Sequence, residues 1–205
     1  MEGGGQRLDA FTAGVIWATG TRTEGQYIVR NEDAYWAEHI RKQFGGTVYT
    51  IRHQRNGTPM HCIKIKMVIA PEIEALGWTG RSDADRGMPD VDDRAEFCRA
   101  YIQCHAGIDM WKHRTRRGIA IETPRMRIWA GETMLEEIAQ IISGETGAGI
   151  KKVQRHMTDA GTTHLLAYQS PREVAAICEW VLSGEHSPKF AEMAARAQSA
   201  EGLLD

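Results

Sequence analysis

The sequence predicts an α+β fold in which one succession of elements, αββαββα, occurs twice. Two observations carry this. Runs with β-type apolar alternation come in pairs, most plainly residues 47–55 and 60–68, which flank the hairpin signal Asn56-Gly57. Each group of such runs is preceded, divided and followed by stretches with helical periodicity or with helix start and stop residues. A duplication on this scale predicts a pseudo-two-fold molecule with two antiparallel sheets.

The elements follow in order. Residues 8–20 (LDAFTAGVIWATG) read as a short apolar helix stopped by Gly20, and an extended piece begins at Gln26. Asn31 is placed to cap a helix over 32–44, with acids early, bases late and Gly45-Gly46 as its stop. After the 47–68 hairpin, Pro71 opens a short helix to residue 78. The second half starts with a helix over 92–107 that has an acidic first turn, then strands at 111–117 and 119–129. Residues 132–143 form an amphipathic helix with Met134, Leu135, Ile138, Ile141 and Ile142 on one stripe. Residues 150–157 and 163–169 form another hairpin through Asp159-Ala160-Gly161, and Ser170-Pro171 opens a last helix to about Leu182. The repeats are therefore 8–78 and 92–183, with a polar linker at 79–91 and an Ala-rich tail at 184–205 that receives no role.

Bulk properties narrow the functional classes. The 205 residues suffice for one large domain or two small ones, and 42% hydrophobic with 25% charged residues is ordinary for a soluble globular protein. No run approaches about 18 apolar residues, so no membrane span is expected. Residues 1–7 lack the charged-then-apolar order of a signal peptide, and a cytoplasmic location is expected. Cys62, Cys98, Cys104 and Cys178 form no CxxC pair, so reduced buried thiols are a better reading than a zinc site. Dinucleotide, P-loop, zinc-protease and serine-hydrolase signatures are absent, and no cofactor is expected.

Net charge is only −2, but the charges are segregated. Residues 40–70 hold Arg41, Lys42, Arg52, Arg55, Lys64 and Lys66 with no acid, and residues 111–129 hold six bases against Glu122 alone. Local fields of this kind attract phosphate, although a pair of solvated strand faces would look the same. Alternation along strands sets Ile63, Ile65 and Met67 toward a core and Cys62, Lys64 and Lys66 outward. It groups Arg52 and Gln54 with Thr50, Lys112 and Arg114 with Arg116, Arg125 and Arg127 with Trp129, and Lys152 with Gln154 and His156. A face of Arg, Lys, Gln, His and Thr suits the major groove, where Arg and Gln read guanine and adenine edges. Basic strands without aromatic stacking platforms favour duplex over single strands.

The first helix, Thr12-Ala-Gly-Val-Ile-Trp-Ala-Thr-Gly20, resembles the LAGLIDADG motif of homing endonucleases, and Phe97-Cys-Arg-Ala-Tyr-Ile-Gln-Cys-His-Ala106 resembles its divergent second copy. The resemblance covers residues 8–182. It implies sheets that form a saddle on DNA, with the motif helices packed at the pseudo-two-fold axis through the small residues Gly14, Ala18, Ala100 and Cys104. It also implies a metal-holding carboxylate at the penultimate motif position of each helix, where this chain has Thr19 and His105. A threonine hydroxyl is a poor Mg²⁺ ligand by itself, and His is not the hard oxygen ligand that Mg²⁺ prefers. Glu24 and Asp109, just past the motif ends, are the remaining carboxylate candidates. The expectation is a non-catalytic, sequence-selective binder of double-stranded DNA, acting as a monomer. The alternatives are a Mg²⁺-dependent endonuclease with displaced carboxylates and a maturase-like RNA binder.

Overall fold

The structure, a computed structural model, describes residues 8–23, 26–54, 56–65, 69–79, 86–114, 118, 120–158 and 161–201. The chain runs α1 (Ala10–Thr19), β1 (Gly20–Thr23), β2 (Gln26–Asn31), α2 (Ala34–Phe44), β3 (Val48–Arg52), β4 (Pro59–Lys64), α3 (Ala70–Ala75), α4 (Arg94–His105), β5 (Ala106–Arg114), β6 (Ala120–Ala130), α5 (Glu132–Thr146), β7 (Gln154–Thr158), β8 (Gly161–Tyr168), α6 (Pro171–Leu182) and α7 (Pro188–Glu201). Two four-stranded antiparallel sheets result, ordered β1-β2-β4-β3 and β5-β6-β8-β7. The αββαββα succession is thus present twice, and α7 follows it. By their contacts the elements fall into two compact units, one of α1–α3 and β1–β4 with α4, the other of β5–β8 with α5–α7.

In the first unit, Asp9 starts α1 by accepting from the Thr12 amide at 2.7 Å and the Thr12 hydroxyl at 3.0 Å. Every residue from Phe11 to Thr19 is buried, so α1 is a core helix rather than an amphipathic one. One side of it is closed by α4. A Cβ on Gly14 would lie 2.4 Å from the Phe97 carbonyl oxygen and 2.8 Å from the Ala100 Cβ, so only glycine allows the two backbones this approach. Trp17 meets Phe97 edge-on beside that contact, at 6.3 Å between ring centroids. Ala18 and Ala100 are buried, while Cys104 is partly exposed as a residue. The Cys104 carbonyl accepts from Asn31 Nδ2, and burial, with the Asp33 carboxylate nearby, pushes its thiol well above the usual range. Tyr27, Val29, Ile63 and Ile65 bury one face of the sheet beneath the helices. Each such side chain contributes roughly 1.5–3 kcal/mol of transfer free energy.

Two local expectations change. Asn31 ends β2 instead of capping α2; its Oδ1 accepts from the Asp33 amide, and Asp33 caps the helix by accepting from the Tyr35 amide. Cys62, expected to point outward, is fully buried on the face opposite Ile63, in register with Arg30 and Tyr49. Met67, expected in the core, lies outside the described residues, as do Asp159 and Ala160 of the last hairpin turn and residues 80–85 of the linker.

In the second unit, Met126, Ile128, Leu166 and Tyr168 form the buried sheet face, covered by α5, α6 and α7. The Ala-rich segment read as a tail is a helix of the core. Phe190, Ala194 and Ala197 of α7 are buried, and the small alanines let it lie close on α6 and the sheet. Ser187 caps its first turn by accepting from the Phe190 amide at 3.1 Å. No helix among the described residues is long and apolar enough to cross a membrane.

Identical substitutions separate the α1–α4 contact from generic helix propensity. Gly14→Ala is expected to cost about 1–3 kcal/mol through overpacking against Phe97 and Ala100. Gly144→Ala, in α5, where an added Cβ meets nothing within 4 Å, is expected to stabilise by up to about 1 kcal/mol. Thermal melts followed by circular dichroism check both.

Candidate nucleic-acid interface

In an antiparallel pair, directly opposed residues project to the same side of the sheet, so the register decides which side chains share a surface. In the second sheet, Asp109 opposes Arg125, Gly107 opposes Arg127, which also opposes Ala167 of β8, and Trp111 opposes Thr123. Trp129 opposes Leu165, which opposes Gln154, and His156 opposes Thr163. All of these lie on the face away from Met126 and Ile128, the open face of the sheet.

Its centre is a carboxylate between two guanidinium groups. Arg125 donates to Asp109 through Nε at 3.0 Å and Nη2 at 2.8 Å, and Arg127 donates to Asp109 Oδ2 through Nη2 at 2.7 Å. Aromatic rings hold the same arginines from the sides. The Arg125 guanidinium lies 5.7 Å from the Trp111 ring centroid and that of Arg127 lies 5.2 Å from Trp129. His113 stacks on Trp111 at 4.3 Å. Gly107 leaves room for the Trp129 indole, whose Cη2 and Cζ3 would be 3.2 and 3.3 Å from a Cβ there. The hydrogen bond from Arg125, outweighing the desolvation of a partly buried carboxyl, holds Asp109 below the usual carboxylate range, and Arg127 adds to this.

The open face of the first sheet carries Arg30, Tyr49, Ile51, Met60 and Lys64, with Ile28 and Cys62 beneath them. Its basic groups are fewer and its apolar content is greater.

The expected residues therefore do not share one face per sheet. Lys64, Arg125, Arg127, Gln154 and His156 project from the open faces. Arg52 opposes Pro59 and shares its side with Thr50, His61 and Ile63, the other side of the sheet from Lys64. Lys112 and Arg114 oppose Glu122 and Ala120 and share the side of Met126, not that of Arg125. Arg52 and Arg114 both donate back to the glycine carbonyl of their hairpin turn, at Gly57 (3.3 Å) and Gly118 (3.0 Å), and Lys112 lies 3.9 Å from Glu122. Gln54 sits in the turn after β3, and Lys152 in the segment before β7; both are exposed. Lys66 and Arg116 lie outside the described residues. The expected absence of aromatic groups also fails, because Trp111, His113 and Trp129 stand on the open face.

The candidates for metal chemistry fare differently. The Thr19 hydroxyl donates to the Val15 carbonyl at 2.6 Å and is buried, so it is committed within its own helix. His105 ends α4. Asp109, four residues past the end of α4, lies inside β5 with both oxygens engaged by arginines. Glu24 lies outside the described residues. Among the described residues no group of three or more His, Cys, Asp or Glu side chains could hold a metal ion. Of the described candidates, Thr19, His105 and the arginine-bound Asp109 do not supply the carboxylate ligands of the paired Mg²⁺ site that the motif resemblance implies.

No protein-family model matches the sequence, and no curated protein matches it. Solved structures do. I-SmaMI bound to an uncleaved DNA target in the presence of calcium ions aligns over 97% of this chain and 92% of its own, with a TM-score of 0.62 and 9% identity. The fold is LAGLIDADG-like. The LAGLIDADG homing endonuclease I-GzeII in complex with its DNA target aligns over 95% of this chain and 90% of its own, with a TM-score of 0.59 and 9% identity. The LAGLIDADG homing endonuclease I-LtrWI, bound to target DNA, covers 90% and 86%, with a TM-score of 0.57 and 11% identity.

Within this LAGLIDADG-like frame the sequence reading missed Arg30, Trp111 and His113 on the open faces and the partnership of Asp109 with two arginines. Arg30 was visible as the end of the alternating run from Gln26. The Asp109 contact spans 16 residues and depends on strand register, which no local signal carries.

The Asp109 interaction has a defined pH dependence. Its lowered folded-state value means that its stabilisation is present above the unfolded-state pKa of about 3.9 and is lost as pH falls through the folded-state value. The side chains are 22–38% exposed, so the stability difference between wild type and Asp109→Asn is expected to stay below about 1 kcal/mol at pH 7. It is expected to vanish in strong acid, measured by urea unfolding across a pH series.

Proposed function

We propose that this protein binds double-stranded DNA sequence-selectively without cutting it. The observation that carries the reading is the open face of the second sheet, where Arg125 and Arg127 are held between Asp109, Trp111 and Trp129 along the β5–β6 side of a four-stranded antiparallel sheet. Antiparallel ribbons fit the major groove, and arginine is the side chain best suited to its guanine edges. The similarity to I-SmaMI and I-GzeII, both solved with DNA targets, supports the same use of the fold here. Trp111 and Trp129 are engaged by guanidinium groups and His113, so they act as supports for the arginines, which keeps the duplex reading ahead of a stacking platform for RNA.

The donor chemistry of the described residues supports the non-cleaving reading. A cleaving site of this type needs oxygen ligands at the ends of α1 and α4, and the Thr19 hydroxyl is turned into its own helix while His105 offers nitrogen. Two motif-bearing helices in one chain support a monomer on a non-palindromic site, which light scattering of the complex would test.

Duplex affinity is expected to fall at least tenfold between about 50 and 200 mM salt, through counterion release. Lys64→Ala and Arg30→Ala are each expected to lower the salt slope by about one unit in fluorescence anisotropy titrations. Supercoiled plasmid carrying a selected site is expected to remain intact with Mg²⁺ or Mn²⁺; nicking abolished by Glu24→Gln or Asp109→Asn would establish the displaced-carboxylate endonuclease instead. Competition by structured RNA at lower concentration than duplex DNA would favour the RNA-binding alternative.

A further inference from the structure

Resting on the duplex-binding reading, we infer that Arg127 is a guanine-reading residue and that Asp109 is the positioning residue that sets its orientation. The contacts of the guanidinium decide which of its edges is left for a ligand. The Arg127 Nε is fully buried and has no hydrogen-bond partner, so that edge is turned into the protein. Nη2 is tied to Asp109 Oδ2 at 2.7 Å, and the group lies over the Trp129 indole. The plane is thereby fixed by a charge contact and a ring contact, leaving the Nη1–Nη2 end with protons to donate. A guanine presents O6 and N7 in the major groove as two adjacent acceptors that match this end of a guanidinium.

The surroundings fit a base edge better than a phosphate alone. Both cross-strand neighbours of Arg127 are minimal, Gly107 on β5 and Ala167 on β8; the Trp129 indole takes the space over Gly107, and Ala167 leaves the other side low. Arg127 is also the more accessible of the two arginines, 34% exposed against 22% for Arg125. Arg125 gives Asp109 both Nε and Nη2 and serves mainly to hold that carboxylate. A free arginine on a strand would have to lose its rotamer freedom on binding, whereas one already held loses little. A carboxylate on a DNA-facing surface is costly for binding phosphate, and orientation of a reading head is the compensation that the geometry offers.

Opposite movements of two affinities test this. Duplexes selected from a randomised library by the wild-type protein are expected to share an invariant guanine. Replacing that guanine by 7-deazaguanine, which lacks the N7 acceptor, is expected to weaken wild-type binding about tenfold or more, and to leave Arg127→Lys nearly unaffected. Asp109→Ala is expected to lose most of the guanine preference while binding random-sequence duplex more tightly than wild type, because a negative charge has left the surface. A simple folding defect would lower both affinities. Selected duplexes with no invariant guanine, or a guanine preference unchanged in both Arg127→Lys and Asp109→Ala, would overturn the assignment while leaving duplex binding intact. No salt-dependent binding to any duplex would remove the DNA-binding reading itself and this inference with it.

Discussion

Everything in the first unit is arranged around the point where α1 and α4 touch through Gly14, Phe97 and Ala100. A helix this apolar cannot be left with a bare side in water, and α1 has no polar face to present, its two threonine hydroxyls being bonded to Asp9 and Val15. Its burial therefore requires a second helix at backbone contact distance, which requires a glycine on one side and a small residue on the other. The sheet, with Tyr27, Val29, Ile63 and Ile65, takes up apolar surface on the remaining sides. Small residues at this contact restrict sequence more tightly than the surrounding core, where aliphatic groups of similar volume can exchange.

The open faces of the sheets are free of that restriction, and here the two sheets have diverged. The first offers isolated bases among Tyr49, Ile51 and Met60. The second offers a compact polar group whose members fix one another. Low exposure and mutual contacts convert arginines, which elsewhere would be solvated and variable in conformation, into groups of defined direction. Asp109 illustrates how position changes the chemistry of a carboxylate. Past a motif helix it looks like a metal ligand; opposite Arg125 it is an acceptor for two guanidinium groups, and its oxygens are spent there.

Much of the fold was legible because helix boundaries and strand existence are local properties. Ser170-Pro171 starts α6 where the Pro signal puts it, and the repeated order of elements identified the architecture before any contact was known. What was not legible depends on register and on partners distant in sequence. Alternation correctly separates Arg125 and Arg127 from Met126 and Ile128 within β6, yet it cannot say that Lys112 falls opposite Glu122 and so onto the other side from Arg125. The same applies to Arg52 and Lys64, whose relation is set by the pairing of Ile51 with Met60 across the hairpin. Cys62 was misjudged because its neighbours Arg30 and Tyr49 come from other strands. The role of α7 was hidden by its alanine content, which reads as weak apolar patterning although small side chains are what close packing on α6 needs.

The placement of α4 bears on how such a polypeptide could be divided. Counted along the sequence, it opens the second repeat, yet by contact it completes the first unit, and it passes without an intervening loop into β5. A scission in the polar stretch before α4 would strip α1 of the partner that covers Gly14 and Trp17. It would also leave the downstream fragment with a helix whose apolar side has lost its mate. Recombining halves from different members of this architecture therefore means transplanting α1 and α4 as one matched pair, with the crossover placed so that neither travels alone.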